Sequence, residues 1–251
     1  MTATVSVVRR TDVVAALATV IDPELDEPVT DLGFVRDCAV RDGHVLVRLR
    51  LPTAFCSPNF AYLMASDAFD AIRELPGVRS VRVLLVDHHD SDRINAGIAV
   101  GRGFAAAFPD EATGELDDLR HTFRVKAHAA FIERVCTIML REHDWEVEGL
   151  GRLTIADLPP GKARDGLLKR RADLGLSCAP QDRVMVDERG TPWQDGQIPM
   201  KLRFAKSIRI SIDGNAHFCR GLLRTRYPEA AADQRPRTHD SDANETVGGT
   251  A

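Results

Sequence analysis

The feature that most constrains the fold is the segment 51–59, Leu-Pro-Thr-Ala-Phe-Cys-Ser-Pro-Asn, because it joins a clear strand to a clear helix. Before it, Val45, Val47, Leu49 and Leu51 fall on one face and Arg48 and Arg50 on the other, which is the pattern of a half-buried β-strand. Apolar side chains after it recur at helical spacing between residues 60 and 75. Pro58 suits the first helical position, and Ser57 suits the N-cap before it. We therefore predict a strand-to-helix corner that presents Cys56.

Cys56 has two interpretations at such a corner. Backbone N–H groups at the N-terminus of a helix favour a thiolate over a thiol, which would make Cys56 a good nucleophile and a good metal ligand. Free cysteine is also among the most frequently buried residue types, so Cys56 could equally be a small apolar residue that packs at the corner. The local pattern alone leaves both interpretations open.

Composition excludes several classes of protein. Lys and Arg total 33 against 37 Asp and Glu, a net charge of −4, which argues against a nucleic-acid binder held by bulk charge. No apolar run reaches the length of about 18 residues that a membrane span needs, and residues 1–10 lack the pattern of a secretory signal. The 5 cysteines include no C-x-x-C pair. This argues against a disulfide framework or a closed four-cysteine zinc site, so we predict a cytoplasmic protein.

The first half of the chain predicts a small α/β (α+β) domain over residues 1–109. Helical spacing covers 11–21, strands are expected at 34–40, 45–51 and 81–85, and helices at 58–75 and 94–108. Asp42 and Gly43 form a strong hairpin signal between the first two strands. The order α-β-β-α-β-α predicts a mixed three-stranded sheet covered on one face.

The second half predicts another α+β domain over residues 110–228. A long amphipathic helix is expected to end near residue 143, with strands at 152–155, 184–186 and 208–212 and a final helix from about 215. We interpret the basic cluster at 162–171 as a solvated helix face. Residues 229–251 have almost nothing to bury, which predicts a disordered tail.

The segment 22–28, Asp-Pro-Glu-Leu-Asp-Glu-Pro, predicts an acidic loop bounded by proline. One interpretation is a solvated turn, which the segment alone favours. The other is a set of carboxylates, including Asp22 and Glu24, placed beside a metal or a thiolate. The choice between them depends on the rest of the fold.

Four short motifs occur in the order expected for one family. They are Ile-Asp-Pro-Glu-Leu at 21–25, Thr-Asp-Leu-Gly-Phe-Val at 30–35, Thr-Ala-Phe-Cys-Ser-Pro at 53–58 and Leu-Pro-Gly-Val-Arg-Ser-Val at 75–81. On these motifs, residues 11–108 resemble the small domain shared by SufT and PaaD. That family is linked to iron–sulfur cluster assembly and to the maturation of metalloproteins.

The resemblance implies roles for several residues. Cys56 would be the thiolate ligand of iron or of an iron–sulfur cluster that is bound transiently. Asp22, Glu24 and Asp31 match family positions that would flank this thiolate, as further ligands or as partners of the ligands. Thr53 would donate a hydrogen bond to the thiolate or hold the loop in shape.

Two departures from the family pattern alter the expected site. Phe55 stands where the family usually has glycine, so a bulky ring would shield the thiolate or change how a partner docks. His88 and His89 replace a tryptophan-containing segment after the third strand. Their imidazoles are candidates for additional ligands, and the alternative is a pair of exposed loop histidines.

The resemblance implies a carrier or assembly factor rather than an enzyme. Its partners would be assembly proteins and a client metalloenzyme, for example a bacterial di-iron monooxygenase, with residues 110–228 as the client-docking surface. Nucleic acid and membrane are not expected partners. An iron–sulfur cluster usually takes about four protein ligands. Cys56 alone therefore implies a labile carrier, a homodimer that pairs two copies of this cysteine, or a site shared with the client.

Two other functions remain open from the sequence. The first is a metal-independent chaperone or scaffold for an oxygenase subunit, in which Cys56 is purely structural. The second is a cysteine enzyme in which His88 or His89 acts as the general base. A general base must lie within hydrogen-bond distance of the thiol, so the geometry at Cys56 tests the enzyme hypothesis.

Overall fold

The computed structural model describes residues 7–101, 103–109 and 116–231. Seven α-helices and five strands lie in these ranges. The helices are α1 (Arg10–Leu17), α2 (Pro58–Arg73), α3 (Ser91–Ala99), α4 (Phe104–Ala107), α5 (Leu116–Glu142), α6 (Lys162–Asp173) and α7 (Ile198–Arg226). The strands are β1 (Ile21–Asp22), β2 (Glu27–Pro28), β3 (Val35–Arg41), β4 (His44–Arg50) and β5 (Ser80–Val86).

The chain divides into two compact units. Among the described residues, the first unit contains 7–20, 28–101 and 222–231, and the second contains 21–27, 103–109 and 116–221. The mixed α/β class predicted from the sequence is confirmed. The domain boundaries at 109 and 228 stay predictions.

The first unit is built on a three-stranded sheet in the order β3-β4-β5. β3 pairs antiparallel with β4, and β4 pairs parallel with β5, so the predicted mixed sheet is confirmed. The hairpin turn has φ of 50° at Asp42 and 80° at Gly43, both in the left-handed region that the favoured two-residue hairpins require. A Cβ on Gly43 would lie 2.7 Å from the carbonyl oxygen of Gly77, which adds a second reason for glycine there.

Helix α2 supplies the crossover between the parallel strands β4 and β5. It contacts β5, α1 and α3, and its apolar face is buried as the helical spacing predicts. The unit thereby places helices over the sheet that carries the Cys56 corner. The buried α2 side chains are Ala61, Tyr62, Leu63, Met64, Ala65, Ala68 and Ile72.

The predicted first helix is wrong at both ends. It begins at Arg10 with Arg9 as the N-cap, and it ends at Leu17 rather than near residue 21. The chain after it forms β1, which pairs with β2 in a short two-stranded ladder. The apolar residues at helical spacing extend beyond the end of the helix, which is why the predicted helix is too long.

The second unit is mainly helical. Its core is formed by the buried faces of α5, α6 and α7 together with the connecting segment that follows α5. This segment contains the 3-10 turns Val147–Arg152 and Ile155–Asp157. The fully buried core side chains include Ile132, Val135, Cys136, Met139, Leu150, Leu153, Ile155, Leu167, Val184 and Ile198.

The strand predicted at 208–212 is wrong, because α7 continues through it as one helix. Ile208 and Ile212 are partly buried and lie one helical turn apart on the same face, whereas Ile210 is 55% exposed. The other predicted strands reduce to isolated bridges, Thr154 with Arg183 and Val186 with Pro192.

The basic cluster on α6 is only partly a solvated face, so that interpretation is wrong for two of its members. Arg171 is 2% exposed and donates to the carbonyl oxygens of Ser177 and Arg183 at 2.8 and 2.9 Å. Arg170 forms an ion pair with Asp26 in the same unit. These guanidinium groups have fixed partners and organise the second unit.

Residues Pro228–Ala231 form a 3-10 turn, and the rest of the predicted tail, 232–251, lies outside the described residues. Across the ranges that the structure describes, no helix combines the length and the apolar character that crossing a membrane demands.

Candidate functional site

The Cys56 corner forms as predicted. β4 ends at Arg50, α2 begins with Pro58 at its first position, and Ser57 is the N-cap. The carbonyl oxygen of Ser57 accepts the Ala61 N–H at 3.1 Å, which starts the helical hydrogen bonding. Cys56 is partly exposed just before this N-cap. The interpretation as a residue sealed in the core therefore does not describe it.

Thr53 is the side chain that contacts the sulfur. Its Oγ1 lies 3.4 Å from Cys56 Sγ and also accepts the Phe55 N–H at 3.2 Å. A threonine hydroxyl has one proton and two lone pairs. Because the Phe55 N–H occupies a lone pair, the hydroxyl proton remains available to a thiolate at Sγ.

His88 supports the backbone of Cys56 rather than its sulfur. It is 6% exposed, and its Nδ1 accepts the Asp90 N–H at 3.1 Å. The neutral ring therefore carries its proton on Nε2, which donates to the Cys56 carbonyl oxygen at 2.8 Å. Both ring nitrogens have partners, so ligation of a metal or abstraction of a proton by His88 would require one of these bonds to break.

His89 and Phe55 form the exposed side of the site. The His89 N–H donates to the Ala54 carbonyl oxygen at 2.9 Å, and the His89 ring centroid lies 5.8 Å from that of Phe55. Phe55 is 80% exposed. Since β4 and β5 are parallel neighbours, the loops after their carboxyl ends meet at one edge of the sheet, which is a common position for binding sites.

A group that the sequence analysis missed holds the same two strand ends. Arg226, the last residue of α7, donates to the Leu51 carbonyl oxygen at 3.1 Å and also to the Asp87 carbonyl oxygen. Tyr227 donates its hydroxyl proton to Asp87 Oδ2 at 3.1 Å. We name Arg226 and Tyr227 the C-terminal clamp. No local pattern predicts it, because the contacts join residues more than a hundred positions apart.

The clamp also covers a buried charge on β4. Arg50 is 7% exposed, although the alternation of β4 predicts it on a polar face. Its guanidinium lies 4.9 Å from the Tyr227 ring centroid and 3.5 Å from the Glu229 carboxylate. Arg50 Nε also donates to the Gly33 carbonyl oxygen at 3.3 Å. The guanidinium is thus buried with partners, as a buried charge requires.

The three predicted acidic residues have other contacts. Asp22 Oδ1 accepts the N–H groups of Glu24 and Leu25 at 2.9 and 2.8 Å, and burial raises the pKa of Asp22 to about 6. Glu24 accepts from Asn215 in the second unit, to which Asp22 also belongs. Asp31 is exposed and accepts from the neighbouring Thr30 hydroxyl. Their roles at Cys56 stay predictions.

The other cysteines differ from Cys56 in burial. Burial raises the pKa of Cys38 to about 11 and that of Cys136 to about 12, so both remain thiols at neutral pH. Cys178 is exposed and Cys219 is partly exposed. Within the part of the chain that the structure describes, no group of three or more His, Cys, Asp or Glu side chains is arranged to hold a metal ion.

The matched family agrees with the resemblance seen in the motifs. A family model described as an iron–sulfur cluster assembly protein matches residues 10–85. An uncharacterized protein from Methanocaldococcus jannaschii is 36% identical over 89 residues, which cover 35% of this chain and 92% of that protein. The chain therefore belongs to the iron–sulfur cluster assembly protein family, and the predicted resemblance is confirmed.

A second relative is an iron–sulfur cluster carrier protein from Mycobacterium leprae, which is 37% identical over 79 residues. The matched segment is 31% of this chain but only 20% of that carrier. The family match contains Cys56 and Thr53 and ends at residue 85, so His88 and His89 lie beyond it.

Proposed function

We propose that this protein carries iron or an iron–sulfur cluster as cargo on Cys56 and transfers it to a client metalloenzyme. The observation that carries the proposal is a partly exposed cysteine, in contact with the Thr53 hydroxyl, inside the family-matched segment. Thiolate is the ligand type that iron–sulfur chemistry uses. The relative named as a carrier supports transport rather than permanent storage of the cargo.

The cargo needs ligands besides Cys56, because clusters usually take about four. We propose that a second copy of this chain or the client supplies them at a shared site, with Asp31, which belongs to the same unit as Cys56, as an additional candidate from this chain. The exposed ring of Phe55 would pack against that partner. Partial ligation by the carrier would make the cargo labile, as transfer requires.

The geometry around His88 supports a carrier over a cysteine enzyme. A general base needs a free lone pair within hydrogen-bond distance of the thiol. The Nδ1 lone pair of His88 accepts from the Asp90 backbone, and its Nε2 proton is directed to a carbonyl oxygen. We therefore assign His88 to holding the loop.

The reduced thiol that the carrier needs fits a cytoplasmic location.

Anaerobic reconstitution with ferrous iron and sulfide tests the cargo assignment. We expect the wild-type protein to retain iron and sulfide after desalting and Cys56→Ala to retain neither above background. Cys178→Ala is the matched control, because Cys178 is exposed and lies outside the family match. Equal uptake by wild type and Cys56→Ala, measured as iron per chain and visible absorption, would overturn the assignment.

A client can be sought by purifying the tagged protein from its native host and measuring the metal in the eluate. If Cys56→Ser protein then activates that client fully in cells, the metal-independent chaperone is the correct function. If activation of the client requires Cys56, the carrier is the correct function. This comparison separates the two functions whether the cargo is iron or a cluster.

A further inference from the structure

The second unit contains a cavity of about 700 Å³ that the proposed carrier chemistry does not use. It is lined by α5, α7 and the segment 186–193, with Ile132, Val186 and Ala205 as buried parts of its wall. Met200 and Phe204 also line it and are 59% and 70% exposed. Its volume and its mainly apolar lining are typical of sites for small organic molecules.

One ring nitrogen of a histidine in this wall has no hydrogen-bond partner in the described part of the chain. His128 lines the cavity, is 2% exposed, and its Nε2 has no hydrogen-bond partner among the residues that the structure describes. Burial, with Arg171 contributing, lowers the pKa of His128 to about 4, while Asp187 opposes this shift. The ring is therefore neutral at pH 7 and offers one donor and one acceptor. Buried polar groups are nearly always hydrogen-bonded, so His128 is an exception that needs an explanation.

The charges around the cavity balance. Lys126 and Lys201 line it together with Asp187 and Glu188. Lys201 Nζ lies 5.1 Å from the Trp193 ring centroid. Asp187 Oδ1 already accepts two backbone N–H groups of its own turn, at 2.9 and 2.8 Å. A charged ligand would find no net opposite charge among these described lining residues.

We propose that this cavity binds an uncharged, mainly apolar molecule with one hydroxyl or carbonyl group, and that this group hydrogen-bonds to His128. The apolar walls contact the hydrocarbon part of the ligand, and the imidazole forms a hydrogen bond with its polar atom. Nε2 itself is covered by neighbouring atoms, so the proposed hydrogen bond requires the ring to rotate about χ2, a broad torsion. The site is independent of Cys56, and so is its test.

Calorimetric titration of the full chain with 2-naphthol and with 2-methylnaphthalene tests the site, because the two probes differ only by hydroxyl against methyl. We expect one molecule per chain and about fivefold tighter binding of 2-naphthol, the value of one neutral hydrogen bond. His128→Leu should lose this preference and favour 2-methylnaphthalene, because the hydroxyl group would be buried without a hydrogen bond, and His128→Gln should keep the preference for 2-naphthol. His121→Leu is the matched control, since His121 is an exposed histidine of α5 that lines the same cavity.

Two results would overturn the proposal. One is the absence of binding of either probe to folded wild-type protein. The other is a hydroxyl preference that survives His128→Leu. If that variant does not fold, Ala129→Phe replaces it, because Ala129 lines the cavity and a phenyl ring there should abolish binding of both probes. Cys56→Ala should bind the probes as the wild type does, which separates this result from any failure of the carrier assignment.

Discussion

At the scale of single residues, the site depends on which nitrogen of His88 carries the proton. The Asp90 N–H fixes Nδ1 as an acceptor, which leaves Nε2 to donate to the carbonyl oxygen of Cys56. The family motif identifies the cysteine, but the tautomer of a histidine beyond that motif cannot be read from a sequence. We therefore propose that His88 positions the cysteine loop, and its role as a ligand stays a prediction.

His88→Leu tests this role. Without the Nε2 donor, the Cys56 carbonyl loses a hydrogen bond and the loop should open more often. We expect Cys56 to be alkylated by iodoacetamide about fivefold faster than in the wild type, measured on the Cys56 peptide by mass spectrometry. His89→Leu is the control, because the exposed His89 ring makes no hydrogen bond to Cys56. Equal rates in His88→Leu and the wild type would contradict the role.

At the scale of elements, the sheet and its helices were predictable because their signals are local. Alternation defines β4, Asp42 and Gly43 define the hairpin, and Pro58 defines the start of α2. The long helix α7 was not predictable at 208–212, since three isoleucines at alternate positions also fit a helix that exposes the middle one. The C-terminal clamp was not predictable at all, because its partners are distant in sequence.

The clamp leads to a prediction about loop dynamics. Arg226→Met keeps the apolar stem but removes the donors to the Leu51 and Asp87 carbonyl oxygens. We expect amide hydrogen exchange at His89, which is bonded to the Ala54 carbonyl, to accelerate by about tenfold and the first unit to lose about 1–2 kcal/mol of stability.

The control for the clamp is Arg224→Met, since Arg224 is an exposed arginine in the last turn of the same helix. It should leave both the exchange rate at His89 and the unfolding free energy unchanged within about 0.5 kcal/mol. If the two variants behave alike, the hydrogen bonds of Arg226 do not hold the strand ends.

At the scale of the whole molecule, two buried ionisable groups of the second unit oppose each other in the pH dependence of stability. In the folded protein, mainly burial lowers the pKa of His128 from 6.5 to about 4. Its contribution to the free energy of unfolding is therefore fully present above pH 6.5 and is lost as the pH falls towards 4. Asp22 has a folded pKa raised from 3.8 to about 6, so its contribution is present below pH 3.8 and is lost as the pH rises through 6.

Substitutions should separate the two contributions. Between pH 4 and 6.5, the unfolding free energy of the wild type should rise relative to that of His128→Gln by about 3 kcal/mol, the value of a shift of this size. Asp22→Asn keeps the acceptor for the backbone N–H groups but removes the titrating group. The free energy of unfolding of this variant should therefore rise relative to that of the wild type as the pH increases from 4 to 6. Urea unfolding of each protein across this range measures both slopes. If the free energy of unfolding depends on pH in the same way in the wild type and in the variants, His128 and Asp22 do not cause the pH dependence.

The exposed ring of Phe55 beside the sulfur has a practical consequence for handling the protein. Phe55 immediately precedes Cys56, so we expect two copies that pack through this exposed ring to bring their Cys56 residues together. Storage in air should therefore oxidise pairs of Cys56 thiols to disulfide-linked dimers, which run at double mass on a non-reducing gel and return to single chains with dithiothreitol. These dimers should form in Cys178→Ala and be absent from Cys56→Ala. Fresh, reductant-treated preparations are the right starting material for any study of this surface.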